Sequence, residues 1–381
     1  MASLILALSS KETGALLPIY ILVIEVSLYG LTCPDKTGKY FLRAFFLTTI
    51  IFPAILGSIF LLNEPSWLIG GYQTRPFSLT ERLLTESRVI WQYLQFTLLP
   101  DISTMGLYHD DIILSTGLLK PISTLFATTS LVGVVIFAII SIKRFPMISF
   151  GILWFLAGHL IESTFVPLEI AFEHRNYLAL LGPTLTVSYY LLKGGTSPSP
   201  SAHRVTIAIA LICFLGFNTY VRAFDWSNPL TMAETEATNH PKSARAQYVL
   251  GRVYSDLFLE TGYFELARKA EKAFIASASN KNSTIGLFGL LILKASQNEA
   301  LLNNQTQDLL ARLSKIPPTQ DTYTQVQRLV ECKLSNHCQA IPKDTLLKIL
   351  TATFNNPHLT TNQQLQIQHL RQQLSDISPN K

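Results

Sequence analysis

The chain has 381 residues, of which 14% are charged, and a net charge of +5. With a mean hydropathy of +0.29, so few charges exclude an ordinary soluble globular protein, in which about 25% of residues are charged. The positive charge is dispersed and forms no basic tract, which excludes nucleic acid as a partner.

The first ten residues, "MASLILALSS", lack the basic leader and the cleavage site of a signal peptide and read as the tail of an earlier span. Apolar runs close to the length that crosses about 30 Å of hydrocarbon then predict six spans: Gly14–Leu31, Ala44–Leu62, Ile122–Ile142, Met147–Ile161, Tyr177–Leu192 and Val205–Tyr220. The last three are short and need a thinned bilayer or burial among other helices. Basic residues fall in alternate connections: Lys36, Lys39 and Arg43, then Lys143 and Arg144, then Lys193 and Arg204. Short basic loops stay cytoplasmic. The acidic loops 63–121 and 162–176, and everything beyond Arg222, are therefore expected on the outer side. The polar stretch Thr196–His203 reads as a cytoplasmic turn. The predicted fold is all-α, with a polytopic membrane helix bundle over residues 1–222 and a soluble helical-repeat domain, resembling tetratricopeptide (TPR) repeats, over residues 226–381. The C-terminal domain is then expected in the outer aqueous compartment.

The candidate chemistry lies in the outer segments. "SSKETG" presents Lys11 and Glu12, either toward a ligand or as a plain turn. "RPFSLTERLLTESRVIWQYLQFTLLPD" predicts an amphipathic helix in the membrane interface, with Leu83, Leu84, Val89, Ile90, Tyr93, Leu94 and Phe96 set against Glu81, Arg82, Glu86 and Arg88. Arg82 and Arg88, with Arg75 before them, suit a phosphate because a guanidinium binds oxyanions through a planar donor fork; ordinary anionic headgroups are the other reading. "LYHDDI" supplies His109, Asp110 and Asp111. Adjacent carboxylates can hold a divalent cation or act as a base, but in an extended segment they point apart, so one alone is expected to reach a site; a solvated loop is the alternative. In "ESTFVPLEIAFEHRNYL", Glu162 follows His159 on one helical face, and Glu169, Glu173 and Tyr177 form a second line broken from the first by Pro167. Ionisable groups at membrane depth cost about 2.5–3.5 kcal/mol each, so they persist in pairs, cavities or sites. Arg175 either neutralises Glu173 or grips a phosphate. A structural ion-pair network is the competing explanation.

Beyond Arg222 the pattern is that of soluble helices. The order Leu250, Gly251, Tyr254, then Gly262, Tyr263, Ala267 resembles a TPR helix pair, stretched by about one turn between Tyr254 and Gly262. Further helices are predicted at Ile285–Gln297, Thr306–Lys315, Thr322–Lys333 and Lys343–Phe354, with a last polar helix in "TNQQLQIQHLRQQL". Such an array usually presents a groove to a protein. "CKLSNHC" offers a disulfide between Cys332 and Cys338 in an oxidising compartment; free thiols or a weak metal site with His337 are the alternatives.

The blocks "LALSSKETGALLPIYILVIE", "FSLTERLLTESRVIWQYLQFTLLPD", "YHDDIILS" and "GHLIESTFVPLEIAFEHRNYL" resemble bacterial multi-pass membrane proteins with C-terminal TPR repeats. These are distantly similar to the TMTC proteins and other GT-C-type glycosyltransferases. The resemblance covers most of residues 1 to about 275 and is most specific over Glu162–Leu178. It implies a polyprenyl-phosphate-linked sugar donor and transfer to a protein or glycan acceptor on the outer face, the acceptor being recruited by the repeats. A carboxylate would deprotonate the acceptor hydroxyl and cationic groups, or a metal, would stabilise the leaving phosphate. On this reading Asp110, Asp111, Glu173 and His174 are the catalytic candidates. Arg82, Arg88, Arg175, Lys11, Glu12, His159, Glu162, Glu169, Asn176 and Tyr177 are the lipid-phosphate candidates. GT-C enzymes usually carry an acidic residue in a first outer loop that has no counterpart here, so the resemblance also implies a truncated form or one completed by a partner. A non-catalytic membrane scaffold is the alternative function.

Overall fold

The computed structural model describes residues 2–33, 35–193, 201–335 and 338–375. Helices make up its named elements, and the one extended pairing among the described residues is an isolated bridge between Gly117 and Lys120. The chain divides into two compact units. The first comprises Met1–Ile69, Leu79–Met105 and Ile113–Val221; the second comprises Gly70–Ser78, Gly106–Ile112 and Arg222–Lys381. Two short pieces of the long loop thus belong with the C-terminal part.

The first unit contains α1 (Ala2–Ser10), α2 (Leu17–Ile24), α3 (Lys36–Phe46), α4 (Phe52–Asn63), α5 (Pro65–Tyr72, which enters the second unit), α6 (Leu79–Leu98), α7 (Ser123–Ile140), α8 (Pro146–Gly158), α9 (Asn176–Ala179), α10 (Leu181–Leu192) and α11 (Ala202–Asp225, whose last turn belongs to the second unit). Among the described residues, four helical stretches are long and apolar enough to cross a membrane: Glu12–Tyr29, Lys36–Asn63, Ser123–Ile140 and Ala202–Asp225. Of the six predicted spans, those at Met147–Ile161 and Tyr177–Leu192 become helices of only 13 and 12 residues, about 20 Å at 1.5 Å per residue. Pro146 starts α8 and the chain leaves helix at His159. These two short helices pack on each other through small residues, as helices in a membrane do. A Cβ added at Gly182 would lie 2.8 Å from the Gly151 carbonyl oxygen, and one at Gly151 would lie 2.2 Å from Thr186 Oγ1.

Helix α6 corrects the predicted facing. Arg82 and Glu86 are 0% and 1% exposed, whereas Leu83 is 45% exposed. The buried line Arg82, Glu86, Val89, Tyr93, Phe96 follows the i, i+4, i+7 repeat of one helical stripe. The charges therefore sit on the same face as the aromatics and turn inward with them.

The second unit contains α12 (Pro229–Asn239), α13 (Ala244–Thr261), α14 (Phe264–Ser279), α15 (Ile285–Ser296), α16 (Asn303–Lys315), α17 (Gln320–Leu334), α18 (Lys343–Phe354) and α19 (Thr361–Ser375). The predicted helices from Ile285 onward lie within a few residues of these. Asn228 and Ser243 cap α12 and α13 through their side chains, and Gly262 closes α13 at φ 73°, a left-handed position that glycine occupies without a Cβ clash. Consecutive helices pack as antiparallel neighbours around Phe274, which fills the space left at Gly251 and Gly289: Cβ atoms there would meet its ring at 2.6 and 2.4 Å. Helix α15 is apolar on every side because it is enclosed; its residues Leu287 to Leu291 are all buried. Cys332 and Cys338 form a disulfide with Cα atoms 5.4 Å apart, within the spacing such a bond requires. His337 lies outside the described residues, as does most of Thr196–His203.

Candidate functional site

In the first unit, charged residues distant in the chain converge at the ends of apolar helices. Three elements supply them: the turn after α1, the buried stripe of α6, and the irregular segment 159–178 that joins α8 to α10. Arg82 reaches this segment from α6. Its Nε donates to the Thr164 carbonyl at 2.9 Å and its Nη2 to the Glu162 carbonyl at 2.6 Å. Its Nη1 donates to the carbonyls of Leu168 and, at 3.2 Å, Glu169. Arg175, in a single 3₁₀ turn, donates to the Glu169 carbonyl at 2.7 Å and lies 3.7 Å from a Glu162 carboxylate oxygen. The other Glu162 oxygen accepts from Lys11 Nζ at 3.2 Å. Tyr93 OH accepts from the Phe172 backbone at 2.8 Å, and its ring stacks on His159 at 5.2 Å.

Pro167 explains why the segment needs such support. It keeps residues 166–172 out of helix, so their backbone groups have no ladder to join. The arginine donors supply what the helix would have supplied. Both guanidinium groups are buried and largely taken up by carbonyls, which is a positioning role. Arg88 behaves alike, donating to the Ile113 carbonyl at 2.7 Å and to Ser115 Oγ at 3.3 Å.

Three buried polar groups in the cluster are left with atoms that accept or donate no well-formed hydrogen bond among the described residues: both carboxylate oxygens of Glu86, His159 Nε2 and Asn176 Oδ1. Arg82 Nη2 stands 2.9 Å from Glu86 Oε1 as an ion pair. Burial nevertheless pushes the Glu86 carboxyl up to about 7, against the pull of Arg82, Arg175 and, least, the Ser163 hydroxyl. Helix α6 is not one of the crossing helices, so this carboxyl lies outside the spans.

An apolar cavity of about 190 Å³ opens beside the cluster, between α6, α7, α8 and α10. Trp91, Leu94, Leu131, Phe155 and Val187 are among its walls. Phe155 is shared: it lines the cavity and stands edge-on to His159 with ring centroids 4.7 Å apart. No charged residue of the cluster lines the cavity, and the Phe155 ring stands between the two.

The remaining candidates are distributed as follows. Lys11 is half-exposed, its side chain at 52%, and Glu12 is exposed. Glu169 and Glu173 are partly buried, His174 is exposed and stacked on Phe172 at 5.2 Å, and Tyr177 is 88% exposed. The expected helical line from Glu169 to Tyr177 does not form, because the chain is irregular up to the 3₁₀ turn Glu173–Arg175.

Asp110 and Asp111 belong to the second unit and lie there with its residues. Asp110 accepts from the Ser243 hydroxyl and, at 3.3 Å, from the Arg245 backbone N–H, at the N-terminus of α13. Asp111 accepts from His240 Nδ1 at 3.1 Å. Burial pushes the Asp111 carboxyl up, but the hydrogen bond and charge of His240 outweigh it and hold the group below the usual carboxylate range. Leu107 N–H donates to Glu236 at 2.9 Å, and His109 stands edge-on to His240 at 5.4 Å. A Cβ at Gly106 would lie 2.8 Å from both Glu236 Oε2 and His240 Nε2. These contacts clasp residues 106–112. Replacing Asp110 with alanine removes an acidic partner from a helix N-terminus and is expected to destabilise the chain by about 1 kcal/mol. Thermal unfolding in detergent, together with faster hydrogen exchange at Ser243–Gln247, checks this.

Among the described residues, no group of three or more His, Cys, Asp or Glu side chains is arranged to hold a metal ion. Compared with known proteins, the chain matches no family model, no curated protein and no solved structure. Glu86 and Tyr93 are the members of the cluster that the sequence reading did not mark as site residues. The signal for them was present in their common stripe with Arg82.

Proposed function

We propose that this is a glycosyltransferase-like membrane protein that handles a polyprenyl-phosphate-linked sugar at the outer face of a bacterial inner membrane, in complete or truncated form. On this reading its C-terminal helices form a periplasmic, TPR-like domain that recruits the protein or glycan acceptor. The observation that carries the proposal is the convergence of buried polar groups, Arg82, Glu86, His159, Glu162 and Arg175, next to an apolar cavity from which Phe155 divides them. A ligand with a polar head and a hydrocarbon tail fits both. Lys11 is the accessible cation for a phosphate, and its neighbour Glu162 keeps it in place. Glu173, partly exposed beside His174, serves as the base that takes the acceptor proton. Arg82, Arg88 and Arg175 act by shaping the segments that carry these groups.

Photocrosslinking of the full chain in vesicles with a diazirine analogue of a polyprenyl-phosphate sugar tests the proposal. Label is expected within Glu162–Tyr177 and on α6, and is expected to fall about tenfold in Lys11→Gln, the loss of one charge-assisted contact to phosphate. Labelling no higher than that of an unrelated membrane protein overturns it.

A second reading is a non-catalytic scaffold in which the membrane helices anchor an interaction domain. The engagement of the Arg82 and Arg175 donors with backbone carbonyls favours it. The same crosslinking separates the two readings, since a scaffold takes no label.

A further inference from the structure

We infer that the turn between α13 and α14 is a membrane-surface anchor that seats the C-terminal unit on the headgroup layer of the bilayer. Leu259, Tyr263 and Phe264 stand on this turn at 61%, 70% and 68% exposure. Such a cluster of apolar and aromatic side chains at one tip has no cost only where something covers it. The opposite end of the same hairpin, Asn280–Ser283, is made of Asn, Lys, Asn and Ser. The two ends of one hairpin thus face different surroundings.

The covalent path identifies the surroundings of the apolar tip. Helix α11 is 24 residues long, apolar enough to cross a membrane, and has no buried residue. Three residues, Trp226–Asn228, separate its end at Asp225 from the start of α12 at Pro229. At no more than about 3.6 Å per residue, they keep the start of α12 at the surface of the membrane that α11 leaves. Helix α13 then runs antiparallel to α12. Gln247 Nε2 donates to the Ala237 carbonyl at 2.8 Å, and Tyr254 OH donates to Glu234, so increasing numbers on α13 meet decreasing numbers on α12. Continued for one further turn, this pairing brings Phe258–Thr261 level with Pro229–Leu230. The exposed tip is therefore at the membrane end of the unit.

The composition at that end fits a lipid interface. Phe224 and Trp226 are 65% and 50% exposed, and Arg222 lies over the Trp226 ring at 5.8 Å. Aromatic side chains with nearby cations collect at the headgroup level. Arg268, Lys269 and Lys272 are exposed on the first turns of α14 above the tip, where anionic headgroups would meet them. Glu265 is neutralised by Arg268 at 2.7 Å, while Glu260 is exposed. A bilayer is favoured over a protein partner because only three residues join this end of the unit to a helix that is apolar enough to cross a membrane.

The experiment uses the full chain in vesicles of phosphatidylcholine and phosphatidylglycerol. In a Cys33→Ser/Cys213→Ser background, which keeps the Cys332–Cys338 disulfide, a polarity-sensitive fluorophore is attached through Phe264→Cys or, as the reference, Asn282→Cys. Both positions are exposed; Phe264→Cys gives up one ring contact with Phe258, so thermal unfolding of each labelled protein confirms that the fold is kept. Doxyl-labelled lipids are expected to quench the probe at 264 at least about twofold more than the probe at 282, with a blue-shifted emission at 264 alone. Equal, weak quenching at both positions overturns the inference, including the case in which the tip binds a protein. As a second measurement, Leu259→Ser/Tyr263→Ser/Phe264→Ser is expected to speed protease cleavage at Trp226–Asn228 several-fold in vesicles and to leave it unchanged in detergent. An unchanged rate in vesicles also counts against the anchor.

Discussion

Arg82→Met is expected to destabilise the membrane unit by about 3–5 kcal/mol, the range for removing one partner of a buried ion pair. Two losses combine. Glu86, 1% exposed, would be left as a buried carboxyl without its cation. The carbonyls of Glu162, Thr164, Leu168 and Glu169 would lose a shared donor, and an unsatisfied buried acceptor costs about 1–3 kcal/mol. Arg82→Lys keeps the charge but replaces a fork with a single ammonium, which cannot serve carbonyls spread over eight positions, so it is expected to lose most of the same stability. Adding Glu86→Gln to Arg82→Met removes the stranded charge and is expected to restore part of the loss, not all of it. Thermal unfolding of the full chain in detergent, with proteolysis of segment 159–178 as a local readout, measures these effects. If Arg82→Met unfolded at the wild-type temperature, the segment would have to be held by other contacts.

This effect separates what could be read in the sequence from what could not. The density of charge between Glu162 and Leu178 marked a place where polar groups gather, and Lys11, Arg82, Glu162, Arg175, His159 and Asn176 do gather there. Their facing was harder to read. Placing Arg82 and Glu86 on the wet side of α6 follows from treating charge as a sign of exposure. The spacing of Arg82 and Glu86 with Val89, Tyr93 and Phe96 carried the contrary signal, since a helical stripe is defined by period and not by residue type. Asp110 and Asp111 show a different limit. Adjacent acids in an extended segment do point apart, but both have partners: Ser243 and Arg245 for one, His240 for the other. Those partners lie about 130 residues away, and no local pattern encodes them.

Helix lengths show a third limit. The apolar runs at Met147–Ile161 and Tyr177–Leu192 were readable as membrane material, but not the close crossing of Gly151 and Gly182 that lets α8 and α10 stay short. In the second unit, period located the helices from Ile285 onward, while α12 (Pro229–Asn239) was not read. Ser243 followed by an amphipathic run, and Gly262 at its end, bound α13 at both ends. What the array binds is decided by its surface, which period does not describe.

The pH dependence of stability is expected to carry the signature of Glu86, and its sign is opposite to that of an ordinary surface carboxylate. Burial raises this carboxyl from its ordinary value of 4.5 to about 7 in the folded chain. Below 4.5 the group is protonated in the folded and unfolded states alike, and its favourable contribution is fully present. Between 4.5 and about 7 the unfolded chain releases the proton while the folded chain retains it, so stability falls as pH rises. Above about 7 both states are ionised and the penalty is constant, on the order of 3 kcal/mol at about 1.4 kcal/mol for each pH unit between the two values. Glu86→Gln removes the titration while keeping the shape. The stability of the variant relative to the wild-type chain is therefore expected to rise between about pH 5 and about pH 8, on top of a pH-independent cost for leaving Arg82 without its carboxylate partner. Comparing the two proteins cancels the contributions of the other carboxylates, because both chains share them. A difference in unfolding midpoint that did not change with pH would mean that Glu86 keeps its charge when buried. The same proton bears on chemistry: a carboxyl poised near neutrality can both give and take a proton. Under the proposed function, sugar transfer that uses this group is expected to lose its pH dependence near 7 in Glu86→Gln, and not only its rate.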